Sequence, residues 1–176
     1  DVDGVYTADP RIVPNAKKLK EISYDEMLEL ATLGAQVLHN RSVEMAKKYN
    51  VPLVVRSSLT KAEGTVVKEV TKVESMLVSG VAVDKDADRI ALVGVKNEPG
   101  IAFKVFDLLA KKNINVDMIL QSIGRDDSKD ISFTVDDSQA KEAVQVLKDN
   151  QERLTFKQIV EEENVAKLSV VGAGMQ

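Results

Sequence analysis

The sequence has 176 residues, of which 44% are hydrophobic and 30% are charged, and this is enough for one large domain or two small ones. No apolar run approaches the roughly 20 residues that a membrane-spanning helix needs, so a membrane protein is excluded. The lack of cysteine excludes disulfides and cysteine-ligated zinc, and the single histidine, His39, excludes a polyhistidine metal site. A net charge of −4 at pH 7 argues against a nucleic-acid-binding protein.

The two ends of the sequence differ in charge and in aromatic residues. Residues 1–70 carry 10 basic and 10 acidic side chains, whereas residues 71–176 carry 14 basic and 18 acidic ones. All tyrosines lie in the first part and all phenylalanines in the second. We therefore expect a boundary in the polar, glycine-containing stretch 61–65. Because the sequence begins at Asp1 rather than at methionine, we expect it to be a fragment of a longer protein.

The first part opens with a predicted loop and helix. Residues 1–15 are punctuated by one glycine and two prolines, which favours irregular structure. Ser23 and Glu26 have the spacing of a capping box, in which each side chain satisfies a backbone N–H of the other. This pattern predicts a helix that continues to about Leu38.

A second helix and a strand follow. The helix is predicted to be capped by Asn40 or Ser42 and to run to about Tyr49, where Asn50 suits a left-handed stop. The apolar, β-branched run 51–56 then predicts a buried strand. A helix followed by a buried strand is typical of a parallel α/β sheet.

The second part alternates strands and helices more regularly. The turn at Glu98 is predicted to begin a helix whose apolar residues recur at the spacing of a face that packs on the core. A later helix is predicted to be capped by Asp137 or Ser138. Strands are predicted at 80–84, 89–95, 115–123, 130–135, 154–159 and 166–171, with a polar connection between the first two. From Ile90 the order is therefore βαββαβ, which predicts an α+β ferredoxin-like unit: an antiparallel sheet with two helices on one face.

The first eleven residues carry the clearest chemical signal of the first part. Arg11 could hold a phosphate with its forked guanidinium, and Tyr6 could pack against a flat base. The spacing of Asp1, Asp3 and Asp9 resembles a calcium loop, but the remaining ligands of such a loop are absent. A solvated loop capped by its aspartates explains the same residues, and spacing alone favours that interpretation.

Several segments of the sequence resemble aspartate kinases, which belong to the amino-acid kinase superfamily. The C-terminal part of the catalytic domain is matched by DVDGVYTADPR at 1–11 and by the segments 21–26, 33–39 and 51–58. The regulatory ACT domain is matched by NEPGIA at 97–102 and NVDMILQS at 115–122. The resemblance implies the end of an α/β/α kinase sandwich at 1–60, a linker at 61–76, a first ACT domain at 77–161, and the first strand of a truncated second ACT domain at 162–176.

The resemblance implies an enzyme that uses ATP with Mg²⁺ to phosphorylate the side-chain carboxylate of L-aspartate. The product, 4-phospho-L-aspartate, is the first intermediate of lysine, threonine and methionine synthesis, and the enzyme is expected in the cytoplasm. By the match, Asp1 and Tyr6 would lie near adenosine, Asp9 and Arg11 near the phosphates, and Gln36 where relatives often have a lysine of the ATP site. The catalytic residues and the aspartate site would lie upstream of Asp1, so we expect this fragment to be inactive alone.

The resemblance also implies an effector site for lysine or threonine between paired ACT domains, in a homo- or hetero-oligomer. Its residues would combine amides at a helix start with polar groups of neighbouring segments: Asn97, Gly100, Ile101, Ala102, Asn115, Val116, Asp117 and Gln121. An effector would shift the population of two arrangements, and the chain from Ser57 to Val83 would carry that shift to the kinase loop. A non-catalytic, amino-acid-sensing ACT subunit and a purely structural pairing module remain as alternatives.

Overall fold

The computed structural model describes residues 2–69, 78–123 and 127–172. The chain divides into two compact units, one formed by Asp1–Asp84 with Lys167–Gln176 and the other by Lys85–Ala166. Within the described residues, no helix has the length and apolar character that crossing a membrane requires.

The first unit contains a small mixed sheet covered by two helices. Its elements are β1 (Glu21–Ser23), α1 (Tyr24–Thr32), α2 (Asn40–Lys48), β2 (Leu53–Val55) and β3 (Thr65–Lys68). Strand β3 lies in the middle, parallel to β1 and antiparallel to β2. The core is formed by the inward side chains of these elements, with Tyr24, Met27 and Leu30 of α1 packed against Val43, Ile22 and Val67. The predicted α/β character is confirmed, although the sheet is mixed rather than parallel.

Helix α1 has the predicted start but an earlier end, whereas helix α2 has a different cap from the predicted one. The capping box of Ser23 and Glu26 is present at α1. The helix ends at Thr32 rather than Leu38, because Gly34 adopts a left-handed φ of 112° and ends the helical run. Helix α2 is capped by His39, whose Nδ1 accepts from the amide of Arg41 at 3.2 Å, and not by the predicted Asn40 or Ser42.

The second unit has the predicted ferredoxin-like order. Its elements are β4 (Gly80–Lys96), α3 (Ile101–Ala110), β5 (Val116–Ile123), β6 (Ser128–Asp136), α4 (Asp137–Asp149), the short α5 (Gln151–Leu154) and β7 (Gln158–Val171), where β4 begins and β7 ends in the first unit. The sheet order is β5-β6-β4-β7, and β6 is antiparallel to both β4 and β5. Apolar residues of α3 and α4 form one core with the sheet, in which Phe106 and Phe133 meet edge to face at 5.6 Å. The predicted βαββαβ fold is confirmed.

Several predicted breaks in the second unit are absent. The polar stretch 84–88 lies inside the single strand β4, because the buried carboxylate of Asp88 accepts a hydrogen bond from the amide of Asn164 at 2.8 Å. The strands predicted at 154–159 and 166–171 are likewise one strand, β7, preceded by α5. Helix α4 is capped by Asp136, one residue before the predicted cap.

The stretch 61–76, predicted as a linker, contains the strand β3 at its described end. Thr65 and Val67 are fully buried there, so residues 65–68 are part of the sheet of the first unit. Short strands of three or four residues carry too little periodicity to be recognised in a polar context. The predicted limits of the kinase piece, the linker and the ACT units stay predictions.

Candidate functional site

The loop after Val2 is held as a narrow two-stranded arrangement. Tyr6 and Lys18 form an antiparallel bridge, and the amide of Thr7 donates to the carbonyl of Lys17 at 2.9 Å. The buried hydroxyl of Thr65 closes the base of the loop, because it accepts from the amide of Val5 at 2.8 Å and donates to the carbonyl of Leu19 at 2.6 Å. Thr65 was missed in the sequence, since one threonine in a polar stretch gives no pattern.

Tyr6 is oriented by an acid on its own loop. Its hydroxyl donates to Oδ1 of Asp3 at 2.9 Å, and Lys18 Nζ lies 3.2 Å from Oδ2 of the same carboxylate. The hydrogen bond from Tyr6 and the ion pair with Lys18 lower the pKa of Asp3, and the same bond raises the pKa of Tyr6. Asp3 is therefore a carboxylate and Tyr6 a neutral phenol at neutral pH, so the ring keeps an apolar face for packing.

Arg11 already holds a planar anion, the carboxylate of Asp9. Its Nε lies 3.0 Å and its Nη2 2.8 Å from the two oxygens, and the backbone amide of Arg11 donates to Oδ1 at 2.9 Å. The side-chain hydrogen bonds to Asp9 and the charge of its carboxylate raise the pKa of Arg11. The Arg11 side chain is 84% exposed, so its forked donors can exchange a carboxylate for a phosphate without leaving a buried charge unpaired.

The predicted ATP residues that the structure describes lie in two segments, the loop from Tyr6 to Arg11 and the turn with Gln36. The start of β4 lies beside both segments. Val81 donates its amide to the carbonyl of Thr7 at 2.8 Å. Two residues further, Val83 approaches Gly34, where an added Cβ would lie 3.1 Å from the carbonyl oxygen of Val83. Gln36 is exposed in the turn that follows Gly34. The loop and the turn therefore lie along one short stretch of strand, whereas the predicted Asp1 lies outside the described residues.

In the second unit, the turn before α3 is open on one side. Gly100 has a left-handed φ of 82°, and a Cβ built on it would meet nothing within 4 Å. The amide of Ile101, predicted to be free for a ligand, donates to the carbonyl of Glu98 at 3.2 Å, whereas no acceptor among the described residues faces the amide of Ala102. Asn97 is held by Asp127, with its amide 3.1 Å from the Asp127 carbonyl and its Nδ2 3.3 Å from the Asp127 carboxylate.

The remaining predicted effector residues lie elsewhere on the sheet. Val116 pairs with Val135, which pairs with Asp88 at the far end of the sheet, and Asn115 and Asp117 flank Val116. Asn97 follows Lys96, which pairs with Ser128. The seven residues from Ser128 to Val135 on β6, at about 3.3 Å each, put these two levels about 23 Å apart. Gln121 lies between them, opposite Ile131. One unit therefore does not bring the predicted effector residues together.

A metal site is not apparent in the part of the chain that the structure describes. No group of three or more histidine, cysteine, aspartate or glutamate side chains within residues 2–69, 78–123 and 127–172 is placed to hold an ion.

Comparison with known proteins identifies both units. The amino acid kinase family matches residues 1–57, and the ACT domain matches residues 90–151. The whole chain is 49% identical to an aspartokinase of Helicobacter pylori and 46% identical to one of Corynebacterium glutamicum, and it spans 44% and 43% of their lengths. The chain matches aspartate kinases over its whole length, from an amino acid kinase segment through an ACT domain. The predicted resemblance is thereby confirmed, and the chain represents less than half the length of these aspartate kinases.

Solved aspartate kinases have the same fold. The Clostridium acetobutylicum aspartate kinase matches 99% of the chain with a TM-score of 0.85 at 25% identity, and the chain covers 40% of it. Escherichia coli aspartokinase III with aspartate and ADP matches 98% with a TM-score of 0.79 at 30% identity, and the chain covers 38% of it. The regulatory subunit of the Thermus flavus aspartate kinase matches 57% of the chain with a TM-score of 0.53 at 38% identity, and the chain covers 66% of it.

Proposed function

We propose that the protein carrying this chain is an aspartate kinase, which transfers the γ-phosphoryl group of ATP to the side-chain carboxylate of L-aspartate and forms 4-phospho-L-aspartate. One observation carries the proposal: the full chain aligns with aspartokinases at 41–49% identity, from the kinase segment through the ACT domain. The related E. coli aspartokinase III binds aspartate and ADP. ATP and aspartate are metabolites of the cytoplasm, where we place the protein.

The contribution of this chain is to hold the nucleotide. Arg11 would release Asp9 and take a phosphate oxygen pair with the same two donors, and Tyr6, fixed by Asp3, would pack against the adenosine. Asp1 and Gln36 would complete the adenosine and phosphate contacts. Mg²⁺, bound with ATP, would supply the charge that offsets the phosphates. The aspartate-binding and catalytic groups belong to the part of the kinase domain that this chain does not include, so the chain alone is inactive.

The activity test uses the full-length protein with ATP and Mg²⁺. We expect ADP release that depends on L-aspartate and is accompanied by an acyl phosphate, which hydroxylamine traps as the hydroxamate. ADP release that is equal with and without aspartate, with no hydroxamate, would refute the proposal. Glutamate serves as the control substrate, since it differs from aspartate by one methylene group.

The second unit would hold a lysine or threonine effector, but only where two ACT units meet. The open turn before α3 offers the amide of Ala102 to a carboxylate. Asn115 and Asp117 lie about 23 Å away in the same unit and offer acceptors to an ammonium group. A second unit running antiparallel along β5 would bring its Asn115 end to the Gln121 end of the first. E. coli aspartokinase III binds lysine together with aspartate.

The surface of β5 supports such pairing. This edge strand is exposed along both faces, with Met118, Ile119 and Leu120 45%, 46% and 58% exposed and Ile123 95% exposed. An apolar edge with unpaired backbone donors and acceptors favours association with another strand. We propose that ACT units pair through β5 in a homo- or hetero-oligomer.

An amino-acid-sensing subunit without kinase activity is the second candidate. The match to the Thermus flavus regulatory subunit supports it. The amino acid kinase match at residues 1–57 favours the kinase, because a sensor needs no nucleotide loop. A protein that binds lysine or threonine but gives no aspartate-dependent ADP release would favour the sensor.

A further inference from the structure

The capping-box carboxylate of Glu26 has more partners than a helix cap requires. Its Oε2 accepts from the amide of Ser23 at 3.2 Å and from the Ser23 hydroxyl at 2.7 Å, which completes the box. Its Oε1 accepts from the hydroxyl of Ser79, 53 residues further along the chain. Helix capping accounts for the hydrogen bonds of Oε2 but not for the hydrogen bond that Oε1 accepts from Ser79.

The residues after Ser79 form the edge of the nucleotide loop. Ser79 donates its amide to the carbonyl of Val171 at 2.7 Å, and Val81 donates to the carbonyl of Thr7 at 2.8 Å. Between them Gly80 is buried, and a Cβ there would lie 3.1 Å from Leu30 and 3.6 Å from the Thr7 carbonyl. The segment is therefore tightly packed and is hydrogen-bonded at both of its ends.

Thr7 lies in the loop between Tyr6 and Arg11, to which we assign contacts with the adenosine and with the phosphates. Its other contacts go to Lys17, whose carbonyl accepts from the Thr7 amide at 2.9 Å and whose amide donates to Oγ1 at 3.0 Å. Thr7 thus joins the loop to the start of β4 on one side and to the returning chain on the other. A displacement of Val81 would change where the loop backbone lies.

The charge on Glu26 strengthens the link. Burial alone would raise the pKa of Glu26, but the hydrogen bonds from Ser79 and Ser23 outweigh it, so that the pKa is lowered. The group is therefore a carboxylate at neutral pH, and a hydroxyl donating to it forms a charge-assisted bond, which is stronger than a neutral one.

We propose that Glu26 is a positioning residue for ATP: it holds Ser79 and thereby the Val81–Thr7 hydrogen bond that places the nucleotide loop. The inference rests on the proposed nucleotide role of that loop. It assigns to a helix-capping residue, outside the predicted site, an effect on nucleotide affinity.

The test is Ser79→Ala in the full-length protein, which removes the hydroxyl and leaves the capping box in place. We expect the Kd and KM for ATP to rise about tenfold or more, which is the loss expected for one hydrogen bond to a charged group, while kcat and the KM for aspartate change less than twofold. Ser79→Thr keeps the hydroxyl and should restore the affinity. Ser138→Ala is the matched control, because it removes a hydroxyl that donates to Asp136 at another helix start.

Hydrogen exchange at the Val81 amide provides a readout that does not require activity. Exchange at Val81 should be faster in Ser79→Ala and unchanged in Ser79→Thr and Ser138→Ala. An unchanged Kd for ATP, or equal losses in kcat and in both KM values, would overturn the inference. A wild-type protein that binds ATP without phosphorylating aspartate would refute the proposed kinase, whereas the change in Kd would still decide the role of Glu26.

Discussion

Thr65→Val should release the base of the nucleotide loop without changing the volume of the core. Thr65 is fully buried, accepts the Val5 amide at 2.8 Å, and donates to the Leu19 carbonyl at 2.6 Å. Valine fills the same space but offers no acceptor, so the Val5 amide loses its partner in a buried position. Leaving one buried donor unsatisfied costs about 1–3 kcal/mol, and about 2 kcal/mol corresponds to roughly a 25-fold change in an equilibrium.

Amide hydrogen exchange in the full-length protein measures this loss directly. We expect the Val5 amide to exchange roughly 25-fold faster in Thr65→Val, while the amide of Val67 on the same strand keeps its protection. Thr65→Ser is the matched control, since it keeps the hydroxyl and loses only a methyl group, and Val5 should stay protected. Equal protection of Val5 in Thr65→Val and the wild type would show that the hydroxyl does not hold the loop.

Three further predictions concern binding and pH. Arg11→Lys should raise the KM for ATP about tenfold, because lysine lacks the forked donors, and Arg41→Lys on α2 should have no effect. Asn115→Ala and Gln121→Ala should each abolish effector inhibition, but mixed oligomers of the two should regain part of it if paired units share a pocket; no recovery would contradict sharing between copies. Since the folded-state pKa of Glu26 is lowered, its stabilisation is complete above the ordinary value of 4.5 and is lost as the pH falls through the lower, folded value. The stability difference between the wild type and Glu26→Gln, from denaturant midpoints, should therefore shrink in that acidic range, and a constant difference would contradict this assignment.

Hydrophobic periodicity in the sequence predicted the order of helices and strands in the core of the second unit, but it missed two strands of the first unit. The helix that begins at Ile101 and the alternating strand with Ile131 and Phe133 show their periods clearly, because each buries one face on a shared core. Strands β1 and β3 are three and four residues long, which is too short to show a recognisable alternation of buried and exposed side chains, and both were missed. The polar stretch around Asp88 was predicted as a break between strands but lies within β4, because the buried carboxylate of Asp88 accepts a hydrogen bond from a residue 76 positions away.

The candidate ATP site was predictable in its residue types but not in its partners. The loop from Tyr6 to Arg11 was assigned to the nucleotide through the resemblance to aspartate kinases, because spacing alone favoured a solvated loop. The groups that position the loop are distant in sequence: Thr65 reaches it across 60 residues, and Ser79 reaches Glu26 across 53. Contacts between such distant residues leave no periodic signal, so only the three-dimensional structure reveals them.

The effector residues show the opposite limit of sequence reasoning. The motifs around Asn97 and Asn115 are separated by one helix, and this closeness suggests a single pocket. The register of the sheet places them about 23 Å apart, since α3 returns the chain to the level of Asp88 before β5 begins. A free amino acid is far shorter than this distance, so one ACT unit does not form the whole site. If both motifs bind one effector, each pocket must combine the Asn97 end of one unit with the Asn115 end of another, and binding would then be coupled to pairing of the units.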